Sequence, residues 1–174
     1  MANGFDEHKD LIDLAIAIES GELTAPTLVD GLLDRIERLD GKLGAFTSVF
    51  ADDARNAAEA AHLARKSGHA VSPVHGIPFA VKDVIDVAGY PTHLGSRATV
   101  DAKPATRSAE AVEAAQTVGM IALGKTNTVE YALGGWGMDP DNGAPWNPND
   151  MAIHRIPGGS SSGSTVAVAA GLVP

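Results

Sequence analysis

The segment GIPFAVKDVIDVAG, Gly76 to Gly89, is a glycine-bounded run of apolar and β-branched residues with one lysine, Lys82, in its middle. A continuous apolar run of this length reads as a buried strand rather than one that faces water at every second residue. It is followed by TRSAEAVEAAQTVG, a helical pattern ending at Gly119, and then by MIALGKTNT, a short strand. A helix leading directly into a strand implies a sheet covered by helices. The expected fold class is therefore α/β.

Toward the N-terminus the period is helical. LIDLAIAIES places Leu11, Leu14, Ala15 and Ile18 on one face, and Gly21 is positioned to end that helix. Thr24 is suited to cap a second helix, Pro26 falls in its first turn, and Leu28, Leu32, Ile36 and Leu39 form its apolar stripe. A short β-like AFTSVF, Ala45 to Phe50, precedes an alanine-rich helix from Asp52 to Lys66, which SGHAVSPVHG terminates. Toward the other end, YALGGWGMDPDNGAPWNPND reads as a long loop of the kind that carries function. It leads into PGGSSSGSTVAVAAGLVP, Pro157 to Pro174, a serine-glycine loop at the mouth of an apolar helix. No repeat or break in composition divides the chain, so residues 1–174 are read as lying within a single domain.

Composition narrows the function. The chain has 174 residues, 44% of them hydrophobic, and its 13 basic against 22 acidic residues give a net charge of −9. A polyanion such as nucleic acid, or an anionic membrane surface, is repelled by that balance. No stretch approaches the roughly 18 apolar residues of a membrane span, and MANGFDEHKD lacks the basic and apolar regions of a signal peptide, which points to the cytoplasm. With no cysteine there is no disulfide, thiolate metal site or cysteine nucleophile. His8, His62, His69, His75, His93 and His154 are scattered without zinc-site spacing and read as surface or loop residues.

Two readings of the serine-glycine loop follow. In the first, Gly158 to Thr165, GGSSSGST, is a phosphate cradle before a helix, although Ser164 stands where the lysine of a P-loop belongs and no strand runs into the loop. In the second, the loop serines meet Lys82. A lysine flanked by Ile77, Phe79, Val81 and Val84 is costly to bury charged, so desolvation drives it toward the neutral amine, which is a base. A serine hydroxyl against that amine makes a Ser–Lys arrangement that needs neither cysteine nor histidine. A purely structural alternative pairs Lys82 with adjacent Asp83, and the residues alone leave both open.

The segments GIPFAVKDVIDVAGYPTHLGS, MIALGKTNTVEYALG and PGGSSSGSTVAVAAGLVP resemble, in order and spacing, the amidase signature family, which includes fatty-acid amide hydrolases, malonamidases and the A subunit of glutamyl-tRNA amidotransferase. The resemblance covers the chain from about Ala45 onward and extends to the helices before it. It implies an α/β/α fold with a central mixed sheet and N-terminal helices, and a Ser–cisSer–Lys triad that hydrolyses carboxamides through an acyl-enzyme without metal or organic cofactor. On this resemblance Lys82 is the catalytic lysine, Ser160 the bridging serine, and Gly159 the residue before it in a cis peptide. Ala132, Leu133 and Gly134 would line the acyl pocket, and Ser162, where the family commonly has glycine, is a loop residue.

The family's acylated serine belongs to a DTGGS-type motif, with the oxyanion hole beside it, and neither occurs in these 174 residues. The resemblance therefore implies the N-terminal portion of an amidase domain, inactive alone, whose partners are a small amide substrate and the remaining portion of the domain, in the same or a second chain. Homodimerisation is left open. Two rival readings stand beside this one, a P-loop-like nucleotide binder and a non-catalytic fragment that assembles with a partner chain.

Overall fold

The computed structural model describes residues 10–138 and 143–174; His8 and residues 139–142 of the long loop lie outside them. Helix α1, Leu11–Ser20, starts at Asp10, whose carboxylate accepts from the Asp13 N–H at 2.9 Å, and stops at Gly21 with φ 80°. Its buried face is Leu14, Ala15, Ala17 and Ile18. Leu11, expected on that face, is exposed because it sits at the open first turn and Ala17 closes the stripe instead. Helix α2, Ala25–Leu43, is capped by Thr24 and carries Pro26 in its first turn, where the missing N–H has no intrahelical partner to lose. Leu28, Leu32 and Ile36 are buried along it, and Leu39 packs half-buried against the same core.

The chain leaves α2 through Asp40, whose carboxylate accepts from the N–H groups of Ala45 at 2.7 Å and Phe46 at 3.1 Å. Strand β1, Phe46–Val49, follows, then α3, Ala51–Lys66, β2, Pro78–Lys82, α4, Glu110–Thr117, β3, Ile121–Thr126, and α5, Ser162–Ala169. The sheet is mixed, in the order β1-β3-β2, with β1 antiparallel and β2 parallel to β3. Strand β3 is the buried centre, while β2 lies at an edge of the described sheet with Phe79 and Ala80 half-buried. The expectation of a long, doubly buried strand from Gly76 to Gly89 is thereby corrected. The strand ends at Lys82, where the Val84 and Ile85 N–H groups fold back onto the Lys82 carbonyl at 2.8 and 3.0 Å.

Side chains alternate across the sheet. Ile77, Ile121 and Leu123 join α1, α2, α3 and α5 in the main core, whereas Val81 meets Phe50, Val87 and Val112 of α4 on the opposite face. Helices on both faces of a mixed sheet are the α/β arrangement inferred from the sequence. His75, read as a surface or loop residue, lies in a turn but is buried there, its ring packed where a Cβ on Gly119 would come within 2.2 Å; burial, assisted by Arg65, holds its imidazole below the ordinary 6.5. Leu32, 1% exposed at the centre of the main core, sets a packing test. Leu32→Ala is expected to cost about 2–5 kcal/mol, read as a lower urea midpoint with unchanged slope.

Candidate active site

The ends of two strands and the start of one helix converge on one point. Lys82 closes β2 and pairs in register with Thr126, which closes the parallel β3, so both strands present their carboxyl ends on the same side. The crevice outside the carboxyl ends of parallel strands is where α/β sheets gather functional groups. The start of α5 is fastened there by the Gly163 N–H to the Asn127 carbonyl at 3.0 Å and by the Thr126 and Ser164 hydroxyls at 2.7 Å. Before it, Ser160 accepts at its carbonyl from the Val129 N–H at 3.0 Å. The Gly159–Ser160 peptide is cis.

This frame brings Lys82 and Ser160, 78 residues apart in sequence, into contact: Lys82 Nζ donates to Ser160 Oγ at 2.7 Å. Burial holds the Lys82 amine below the ordinary lysine value of 10.5. An amine shifted in that direction spends more of its time neutral, and a neutral amine can take a proton from the hydroxyl it touches. The structural alternative for Lys82 has a different outcome. Asp83 is held not by Lys82 but by Lys125, whose Nζ lies 2.9 Å from Asp83 Oδ1, both side chains 1% exposed.

Gly159 stands beside the pair, packed so closely on Gly137 that a Cβ on it would lie 2.8 Å from the Gly137 nitrogen. Ala132 closes a single 3-10 turn, Glu130–Ala132, that begins after Val129, and Leu133 and Gly134 follow it. Leu133 is 84% exposed, and no hydrogen bond among the described residues ties these three to Lys82 or Ser160. Ser162 is not a loop residue. It opens α5 and is fully buried, its Oγ without a hydrogen-bond partner among the described residues. Ser164, placed where a P-loop lysine would be, turns its hydroxyl to Thr126, and no strand among residues 143–161 leads into the loop.

Lys125 was not singled out from the sequence, although the signal was the same as for Lys82, a lone lysine in an apolar strand. A cleft of about 680 Å³ borders this network on the Thr47, Asp83, His93 and Asn127 side. Among the described residues no group of three His, Asp or Glu side chains is placed to hold a metal ion, and no helix is long and apolar enough to cross a membrane.

An amine and a hydroxyl in contact at the carboxyl ends of parallel strands define an α/β protein with a Lys–Ser site. The chain belongs to the amidase family, whose model matches residues 27–174. It is 43% identical over 166 residues to the A subunit of the glutamyl-tRNA(Gln) amidotransferase of Chromohalobacter salexigens, covering 95% of this chain and 33% of that protein. Among solved structures, the peptide amidase of Stenotrophomonas maltophilia superposes with a TM-score of 0.85 at 35% identity, over 95% of this chain and 35% of that one. A bacterial aryl acylamidase of the amidase signature family superposes with a TM-score of 0.86 at 26% identity, over 95% of this chain and 34% of its own. The chain thus spans about a third of the length of these relatives.

Proposed function

We propose that these residues form part of one amidase domain that cleaves a carboxamide through an acyl-enzyme, with Lys82 as the base and Ser160 as the proton relay. The observation that carries the reading is the 2.7 Å contact between Lys82 Nζ and Ser160 Oγ, supported by the downward shift of the amine. The attacking serine and the oxyanion donors lie in a part of the domain outside these 174 residues. As that serine adds to the carbonyl carbon, its proton passes to Ser160 and the Ser160 proton to Lys82. When the C–N bond breaks, the same relay returns a proton to the departing ammonia or amine, and water then releases the acid by the reverse path. Ala132, Leu133 and Gly134 form one wall of the acyl pocket, with Gly159 beside the relay. The partner of this chain is the remainder of the domain, and a charge of −9 favours a small neutral amide over a nucleic acid as substrate.

The test is ammonia release from a panel of primary carboxamides by the complete amidase domain, followed against pH. The active form of Lys82 is the unprotonated one, so the rate rises with pH and levels off through an ionisation below 10.5, the ordinary value from which burial lowers this amine. No ammonia release from any amide, or a rate that falls through that range while the protein stays folded, would overturn the reading.

A further inference from the structure

The buried ion pair behind the site does more than fill space. Lys82 ends its strand, and the next residue is Asp83, whose N–H donates to the Thr126 carbonyl at 2.9 Å and whose carbonyl accepts from the Leu94 N–H at 3.0 Å. Its carboxylate is fixed on three sides, by Lys125 Nζ at 2.9 Å and the His93 N–H at 3.2 Å on Oδ1, and by Thr47 Oγ1 at 3.2 Å on Oδ2. Lys125 in turn donates to the Ile85 carbonyl at 3.0 Å, the Pro91 carbonyl at 3.3 Å and Thr92 Oγ1 at 2.7 Å. One ammonium therefore ties the turn directly after Lys82 to the loop that returns from it. Each group that Lys125 holds lies within two residues of Asp83 or in the segment 91–94 that packs over it.

We infer that the Asp83–Lys125 pair is a positioning element for the Lys82 amine, with Lys125 acting through the turn that carries it. The inference rests on the reading of Lys82 as the base. A buried pair is a weak source of stability, because desolvation of both ions cancels much of their attraction and apolar residues of similar volume do as well. What apolar residues cannot supply is direction: an ammonium shared among a carboxylate, two carbonyls and a hydroxyl fixes the backbone on both sides of one peptide. The pair also takes up the carboxylate adjacent to the base, leaving Lys82 its contact with Ser160.

The experiment is the double variant Asp83→Asn/Lys125→Met in the complete amidase domain, which removes both charges together and leaves neither ion unpaired. A positioning role lowers kcat by about tenfold or more while KM stays within about twofold, because the lost alignment is felt in the transition state. A folded double variant with unchanged kcat, or a loss carried by KM alone, overturns the inference. If the double variant does not fold, Lys125→Arg decides the matter: it keeps the buried charge but replaces the compact ammonium with a planar fork. The same kcat loss at constant KM supports positioning, and an unchanged kcat overturns it. Lys82→Ala measured alongside separates the two readings. Full hydrolysis by Lys82→Ala overturns the base assignment itself, whereas an inactive Lys82→Ala with a fully active double variant overturns only the role of the pair.

Discussion

Lys82→Ala is expected to lower carboxamide hydrolysis by about 10²–10⁴-fold in the complete amidase domain, with the melting temperature close to that of the unsubstituted protein. The size follows from the role. Lys82 ends β2 half-buried, its Nζ donating to Ser160 Oγ at 2.7 Å, and burial already holds the amine below its ordinary value. Removing it takes away the acceptor for the relayed proton and leaves nothing to reprotonate the departing amine. Stability should change little, since a partly buried amine carries a desolvation penalty that alanine does not. Ser160→Ala should fall in the same range, and the double variant should be no worse than either single one, because members of one relay fail together. Steady-state kcat and KM on a single amide substrate check this. A Lys82→Ala protein within a few-fold of normal kcat would remove the base from the mechanism.

The sequence revealed Lys82 through its anomaly, a cation in an apolar run, and the same reasoning applied to MIALGKT would have exposed Lys125. It did not reveal where the strand stops. VIDV has strand composition, but Asp83 is captured by Lys125, Thr47 and the His93 N–H, and this tertiary capture turns the chain at Lys82. Helix caps were legible because their signals are local: Thr24 with Pro26, and Gly21 after the last apolar residue. The start of α5 was not, since Ser161 makes no side-chain cap bond and Ser162 and Gly163 look like loop residues by composition. What makes them helical is the sheet end against which they are pressed. His75 belongs to the same class, a polar residue buried because Gly119 leaves room for its ring.

Gly163→Val is expected to destabilise the protein by about 1–3 kcal/mol or more and to reduce amide hydrolysis beyond what the unfolded fraction explains. A Cβ at this position would lie 2.2 Å from the Ala45 carbonyl oxygen and 2.3 Å from the Asn127 nitrogen. Both obstacles are backbone atoms of packed segments, so neither can swing aside as a side-chain tip would. Relief requires α5 to move off the end of β3. That movement would stretch the Gly163 N–H bond to the Asn127 carbonyl, now 3.0 Å, and the Ser164–Thr126 hydroxyl contact, now 2.7 Å, and would carry Ser160 away from Lys82. A separation of even about 1 Å in a relay costs on the order of 10²-fold in rate. Gly41→Ala is the matched control, because nothing lies within 4 Å of a Cβ there and the residue sits in α2. It should be neutral or stabilising by up to about 1 kcal/mol, with activity unchanged. Denaturant midpoints and kcat for both variants decide the matter: a Gly163→Val protein as stable and as active as Gly41→Ala would mean that the close approach of α5 to the ends of β2 and β3 does not hold the Lys82–Ser160 contact in place.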